Sequence, residues 1–260
     1  MSVPPPAAGD PDPRQLQVQM EAIASGHGRA YQAGGDQFIN ETVLPEAAVR
    51  PVVEVAAAPR LVNLPRHTRT FVGRGEELAR LEAALRGGGE VVVAAVHGLG
   101  GVGKSTLAAH YALAQAVRPD GEGLNPVWWI TADSAQAVES GLAGLAVALQ
   151  PELATVLPLE ALAGRATAWL AAHQGWLLVL DNVVDPADVQ PLLERTLAGQ
   201  VLVTSRLGEG WHRLDAQLLR LDVLGEREAL ELLTRLAAPG LPVSRLCSTG
   251  IRPHDRPRTP

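Results

Sequence analysis

The sequence predicts an α/β fold: a mainly parallel sheet with helices on both faces. Two observations lead to this prediction. Short apolar runs recur along the chain, and segments of helical periodicity separate them. Apolar runs without polar alternation are typical of strands buried on both faces. Strands that alternate with helices imply right-handed crossovers and a parallel sheet covered on both sides.

The elements can be assigned in order from residue 75. The predicted strands are 91–96, 127–130, 176–180, 201–204 and 218–223. The predicted helices are 75–86, 104–117, 135–149, 159–173, 187–197 and 226–237. The first helix illustrates the reasoning, because Leu78, Leu81 and Leu85 recur at helical spacing before three consecutive glycines end the pattern.

The composition is that of a chain with a buried core. Hydrophobic residues make up 47% and charged residues 19% of the 260 positions, which excludes wholesale disorder. The net charge of −6 argues against a protein whose main task is to coat nucleic acid or an anionic membrane. Neither a signal peptide nor a membrane-spanning apolar run is visible, so we expect a soluble, cytoplasmic protein with no membrane partner.

Four regions are predicted. Residues 1–65 contain nine of the 20 prolines and are expected to be mostly disordered. Residues 66–223 are expected to form the α/β domain, in which the pattern G-x-x-x-x-G-K-[ST] at 98–105 predicts nucleotide binding, and residues 224–237 the first helix of a further subdomain. Residues 238–260 return to proline and arginine without periodicity, which predicts an unstructured tail.

A glycine-rich segment after the first predicted strand carries the strongest chemical signal. It fully matches the phosphate-binding pattern G-x-x-x-x-G-K-[ST]. Glycines let the backbone wrap around phosphates, and the N-terminus of the following helix adds partial positive charge. The candidate phosphate-binding residues, which we call the phosphate loop, are Gly98, Leu99, Gly100, Gly101, Val102, Gly103, Lys104 and Ser105.

Two side chains of the phosphate loop have distinct predicted roles. Lys104 is the only lysine beside 21 arginines and would bind the β- and γ-phosphates, while the Ser105 hydroxyl would bind Mg²⁺. A glycine-rich turn that only links a strand to a helix would not need the chain's one lysine at this position. The motif therefore predicts a P-loop NTPase.

An acid follows the apolar run 176–180. Asp181 stands where P-loop proteins place a carboxylate beside Mg²⁺, and we favour this interpretation over that of an ordinary turn residue. Asn182 follows, where a second acid could have served as general base. Because an amide cannot accept a proton from water, the sequence predicts slow hydrolysis.

An arginine follows the apolar run 201–204. If this strand lies beside the first one, Thr204 and Arg206 emerge close to the γ-phosphate. There the Arg206 guanidinium could report whether that phosphate is present. A surface arginine that merely follows a strand is an equally open interpretation.

Other reaction classes lack their motifs. No G-x-S-x-G nucleophile elbow is present in the sequence. The guanine-reading pattern Asn-Lys-x-Asp is impossible, because the only lysine already belongs to the phosphate loop. ATP or ADP with Mg²⁺ are therefore the expected ligands, and no direct nucleic-acid-binding motif is visible.

Together these motifs resemble the NB-ARC class of signal-transducing ATPases with numerous domains (STAND), in their bacterial forms. The resemblance covers about residues 66–237 and rests on the order and spacing of several segments. They are 71–78 (Phe-Val-Gly-Arg-Gly-Glu-Glu-Leu), the phosphate loop extended to Thr106, 127–131, 177–182, 201–206 and 221–233.

The resemblance implies further site residues. A segment that closes over the adenine would consist of Phe71, Val72, Gly73 and Arg74, and Thr106 would join the phosphate loop in binding the nucleotide. The strand that leads to Arg206 would lie between the phosphate-loop strand and the Asp181 strand, which strengthens a sensor role for Arg206. Helix 226–237 would begin an ARC-like helical subdomain.

The resemblance also implies a mode of action. Members hold ADP in a closed state, exchange it for ATP on activation and often assemble into oligomers or with protein partners. Their winged helix and sensor domains are not found in this sequence, so the chain resembles a C-terminally truncated member.

Three functions are open from the sequence. The first is an adenine-nucleotide-binding signalling switch with slow or no ATP hydrolysis. The second is a catalytically active P-loop ATPase, against which Asn182 argues. The third is an incomplete fragment with weak nucleotide binding, against which a protease-resistant core over residues 66–237 would argue.

Overall fold

The computed structural model describes residues 46–65, 71–86, 92–118, 123–196, 199–214 and 216–237, which belong to one compact unit. The strands are β1 (Val92–His97), β2 (Val127–Thr131), β3 (Leu177–Val183), β4 (Gln200–Ser205) and β5 (Gln217–Arg220). The helices are α1 (Glu46–Val49), α2 (Gly75–Leu85), α3 (Lys104–Ala116), α4 (Ala135–Leu149), α5 (Leu159–Ala172), α6 (Gln190–Leu193) and α7 (Glu226–Ala237). The predicted α/β fold is confirmed.

The strands form one parallel sheet in the order β2-β3-β4-β1-β5. Strand β4 therefore lies between β1 and β3, as the resemblance implied. The register aligns the strand ends, because His97 pairs with Ser205 and Thr131 pairs with Asp181. Since the carboxyl ends of parallel strands meet at one edge, the loops after β1, β3 and β4 converge there.

The apolar runs serve two different helix layers. In β3, Leu178 and Leu180 pack with residues of α4 and α5, whereas Leu177 and Val179 pack with residues of α2 and α3. Successive side chains of a strand point to opposite faces, so a strand covered on both faces has no solvent-facing position. Each of these fully buried side chains stabilises the fold by about 1.5–3 kcal/mol.

Residues 46–65, which we call the leading segment, pack against this domain. The expected boundary at residue 66 therefore falls after a stretch that already contacts the core. Val62 forms a parallel bridge to Val127, and Leu61 accepts a hydrogen bond from the Val127 N–H through its backbone carbonyl at 3.0 Å. The leading segment thus covers the outer edge of β2, the first strand in the sheet order.

Side chains of the domain complete the attachment of the leading segment. The Asn125 amide accepts from the Leu61 N–H at 2.8 Å and donates to the Ala58 carbonyl at 3.0 Å. Trp169 of α5 donates its indole N–H to the Val55 carbonyl at 2.7 Å. Proline-rich composition could not indicate this packing, because the partners lie more than 60 residues away.

One predicted helix is much shorter than expected. A helix was predicted over 187–197; in the described part, up to residue 196, a 3-10 turn spans Pro186–Asp188 and α6 spans only Gln190–Leu193. Asp185 accepts a hydrogen bond from the Ala187 N–H, and Pro191, which has no N–H, stands in the first turn of α6.

The predictions for residues 1–45 and for the tail 238–260 lie outside the described residues. None of the helices in the described part of the chain is long and apolar enough to cross a membrane.

Candidate functional site

The phosphate loop leads the chain from β1 at His97 to α3 at Lys104. Gly98 has a φ of +152°, and a Cβ at this position would collide with the backbone carbonyl oxygen of Leu221. Gly103 precedes α3 in the left-handed region, with a φ of +95°, and no side chain caps the helix. The path of the loop thus requires glycine, and the first N–H groups of α3 face the loop as in anion sites.

The Lys104 ammonium folds back onto the phosphate loop. Its Nζ donates to the carbonyl oxygens of Gly98 at 2.9 Å and Leu99 at 2.7 Å. Partial burial lowers the pKa of Lys104, the nearby positive charge of Arg206 lowers it further, and Asp181 opposes both effects. Arg206 and Asp181, which the sequence also singled out, therefore both lie within electrostatic reach of Lys104.

Strand β4 delivers Arg206 to the same place. The side chain is exposed, and its guanidinium lies over the phosphate loop, since a Cβ on Gly100 would stand 3.6 Å from Arg206 Cζ. Two cations held near each other repel, and an anionic ligand between them relieves the repulsion. The sensor role of Arg206 stays a prediction.

Asp181 is held by the neighbouring strand. The Thr204 hydroxyl donates to Asp181 Oδ1 at 2.6 Å and accepts from the Asn182 N–H at 2.9 Å. This bridge forms where the β3–β4 register shifts between Leu180 and Val183 and Asn182 takes a φ of +63°. Sequence reasoning placed Thr204 near the site but could not find its bond to Asp181, which depends on the bulge.

The segment predicted to close over adenine contacts α3. The Phe71 ring stacks on His110, with ring centroids 4.1 Å apart and planes 6° from parallel, and Val72 is buried. Gly73 and Arg74 both have left-handed backbone conformations, with φ of +66° and +62°. Sequence reasoning missed His110, because nothing in a helical histidine signals a stacking partner nearly 40 residues away.

The residues present fit a nucleotide polyphosphate with Mg²⁺. Lys104, Arg206 and the α3 N-terminus would supply positive charge for the phosphates, and Ser105 and Asp181 carry the oxygen atoms that would bind the metal. Within the described ranges no group of three or more His, Cys, Asp or Glu side chains could hold a metal ion. Mg²⁺ suits this donor set, because it is usually bound by one or two carboxylates together with substrate phosphates.

The sheet order, the glycine loop between β1 and α3, and the acid within β3 define a P-loop NTPase. Residues 70–238 match the AAA ATPase domain family. The chain belongs to that family.

Two curated relatives are similar to this chain over about three quarters of its length. The chain is 35% identical over 206 residues to regulatory protein AfsR of Streptomyces griseus, a match covering 74% of this chain and 20% of the relative. It is 32% identical over 212 residues to regulatory protein AfsR of Streptomyces coelicolor, a match that covers 75% of this chain and 20% of the relative. The chain thus spans about a fifth of the length of these relatives. The family match and these relatives support the predicted class, a STAND-type P-loop NTPase.

Solved structures also match the chain at low identity. A STAND protein with a tetratricopeptide repeat sensor from Pyrococcus horikoshii aligns with a TM-score of 0.43 and 19% identity, over 70% of this chain and 28% of that one. The Aeropyrum pernix ORC1 protein, solved in complex with DNA, aligns with a TM-score of 0.48 and 20% identity, over 67% of this chain and 52% of that one.

Proposed function

We propose that this domain is an adenine-nucleotide-binding switch of a signalling protein, with slow or no ATP hydrolysis. The observation that carries the proposal is the gathering of Lys104, Arg206 and Asp181 around the phosphate loop. Two cations beside one carboxylate match the charges of a Mg²⁺-bound polyphosphate. Adenine is proposed over guanine because no second lysine exists for the guanine-reading motif.

The proposed slowness of hydrolysis rests on the residue after Asp181. Asn182 has an amide where a carboxylate could act as general base, and its backbone N–H is bound to Thr204. A site that binds ATP but activates water poorly keeps the nucleotide state long enough to act as a signal. Arg206, over the phosphate loop, is the candidate for distinguishing ATP from ADP.

The proposed setting is regulatory and cytoplasmic. Both curated relatives are named regulatory proteins and are about five times longer than the matched region, which supports a module that works with other domains. As in the NB-ARC class, exchange of ADP for ATP would drive assembly with protein partners or with further copies of the chain.

Thermal unfolding with added nucleotide tests the proposal. The melting temperature of the purified chain is measured with Mg²⁺ and ADP, ATP or GTP in turn. A ligand at 100 times its dissociation constant adds ~2.7 kcal/mol of stability, so we expect a clear shift with ADP and ATP. An equal shift with GTP would contradict the adenine preference, and a cooperative melt unmoved by any nucleotide would contradict the proposal itself.

Single-turnover hydrolysis separates a switch from a working ATPase. We expect bound ATP to persist over many minutes in the wild-type chain and Asn182→Asp to shorten its lifetime. Fast turnover by the wild type would instead favour the catalytic ATPase.

The sensor role of Arg206 is tested by nucleotide affinity. Arg206→Ala should bring the affinities for ATP and ADP closer together, and an unchanged ratio of the two affinities would remove the sensor role.

A further inference from the structure

Arg74 is a buried arginine that joins three parts of the chain. Only 7% of it is exposed. Its guanidinium donates to Glu77 Oε1 at 2.9 Å within α2, and to the carbonyl oxygen of Val102 in the phosphate loop at 3.2 Å. It also donates to the carbonyl oxygen of Asp222, in the connection from β5 to α7. The planar fork of arginine is suited to holding several acceptors in one fixed geometry.

A second contact ties α7 to the residue before Arg74. The Glu228 carboxylate lies so close to Gly73 that a Cβ there would stand 2.6 Å from Glu228 Oε1. The other carboxylate oxygen of Glu228 accepts from the Gly225 N–H at 3.1 Å and so fixes the start of α7. The first turn of α7 is therefore in direct contact with Gly73, while Arg74 contacts the connection that leads into α7.

The same connection touches the phosphate loop at its other end. The Leu221 N–H donates to the His97 carbonyl at 2.8 Å, and the Leu221 carbonyl faces Gly98. Residues 221 and 222 thus contact the start of the phosphate loop directly and its fifth residue, Val102, through Arg74. A displacement of Asp222 by an ångström or two would break its bond to Arg74 and leave a buried guanidinium underpaired, which is costly.

From these contacts we infer that Arg74 is a positioning residue that couples the placement of α7 to the shape of the phosphate loop. The inference rests on the proposed nucleotide site, and it assigns Arg74 a role through Val102 and Asp222. A nucleotide that stabilises the loop must then also stabilise α7, and anything that moves α7 must change nucleotide affinity by the same factor, because linkage is reciprocal. Whatever follows α7 in a longer protein would reach the nucleotide through this contact.

Hydrogen exchange of the full chain tests the coupling, with and without Mg²⁺ and ADP. In the wild type we expect ADP to slow exchange of the amides in the phosphate loop and in residues 226–237. In Arg74→Ala we expect the loop still to respond, α7 to respond no longer, and ADP affinity to fall by about tenfold, as for loss of a charged hydrogen bond. An α7 response in Arg74→Ala equal to that of the wild type would overturn the inference.

Three further variants sharpen this test. Arg74→Lys keeps the charge but loses the planar fork of donors, so it should also uncouple α7. This variant takes the place of Arg74→Ala in the test if Arg74→Ala does not fold. Glu228→Ala removes the contact with Gly73 and should weaken ADP binding although Glu228 does not belong to the phosphate loop. Arg80→Ala removes an exposed arginine of α2 that is paired with the exposed Glu76; it is the matched control and should leave the response of α7 to ADP unchanged.

The nucleotide-free arm separates this inference from the proposed function. Without nucleotide, Arg74→Lys should accelerate exchange in both the phosphate loop and α7, whereas Arg80→Ala should accelerate neither. That result would support the coupling even if no nucleotide bound to the wild type. Acceleration confined to α2 would show that Arg74 only supports its own helix and would overturn the coupling.

Discussion

The edge of the sheet at β2 and the carboxyl ends of β1, β3 and β4 are built on different electrostatic principles. At the β2 edge, the leading segment is held by side chains whose polar groups meet backbone partners, such as Asn125 with Leu61 and Ala58. At the strand ends, Lys104 and Arg206 lie near each other with the same charge. The first region stabilises the fold, whereas the second gives up favourable electrostatics in the absence of an anion.

This difference predicts that mutations at the two regions fail in different ways. Changes at the β2 edge should lower the free energy of unfolding and leave the response to nucleotide intact. Removal of a cation at the strand ends should abolish or alter that response at little cost in stability. The following predictions run from the largest expected effect to the smallest.

The largest effect is expected from Trp169→Ala. Trp169 is buried and donates to the Val55 carbonyl, so its loss leaves a cavity and an unpaired acceptor. We expect a loss of about 3–5 kcal/mol in the free energy of unfolding, measured by urea denaturation. Leu159→Ala, at an exposed leucine of the same helix, is the control. A near-wild-type midpoint for Trp169→Ala would mean that neither the packing of Trp169 nor its bond to Val55 stabilises the domain.

Lys104→Ala should have the opposite signature. Removal of one of two mutually repelling cations should leave the nucleotide-free melting temperature unchanged or slightly raised. The ~2.7 kcal/mol of stabilisation expected at 100 times the dissociation constant should disappear, because phosphate binding loses its central ammonium. If this variant bound ATP as tightly as the wild type, the phosphate-loop interpretation would be wrong.

Thr204→Val tests the support of Asp181. The substitution keeps the shape but removes the hydroxyl that bridges Asp181 Oδ1 and the Asn182 N–H. We expect a loss of about 1–3 kcal/mol in stability and a weaker dependence of ATP affinity on Mg²⁺. Titration of ATP affinity against Mg²⁺ gives the readout, and Thr131→Val, at the exposed end of β2, is the control. An unchanged Mg²⁺ dependence would separate Thr204 from the metal site.

The smallest effect is expected at acid pH from Glu77→Gln. Burial opposes ionisation of Glu77, but its hydrogen bond and charge interaction with Arg74 prevail and lower its pKa. A carboxyl with a lowered folded-state pKa stabilises the protein above its unfolded-state pKa, and this contribution is lost as pH falls through the folded-state value. As the pH is lowered from 7 to 3, the melting temperature of Glu77→Gln should therefore fall less steeply than that of the wild type. Parallel curves would show that the pair adds no stability.

Local pattern was sufficient to predict most of the architecture. Helix α4 was predicted with its observed bounds, Ala135–Leu149, and in the structure Ser134 caps its first turn by accepting a hydrogen bond from the Ala137 N–H. The phosphate loop could be recognised because its glycines are required by backbone geometry within eight residues. Helix α6 was predicted too long because propensity alone does not register how Pro191 and the Asp185 turn divide the segment.

The sequence by itself determined the residue types that bind phosphate, the alternation of strands and helices, and the apolar character of strands buried on both faces. Only the tertiary structure decided that Thr204 supports Asp181, that the leading segment covers β2, and that Arg74 joins the phosphate loop to Asp222. The physical reason is range: a turn or a helix depends on neighbours within a few residues, whereas these bonds join groups 23 to 148 positions apart. Which groups meet over such separations depends on strand order and register, which no local pattern specifies.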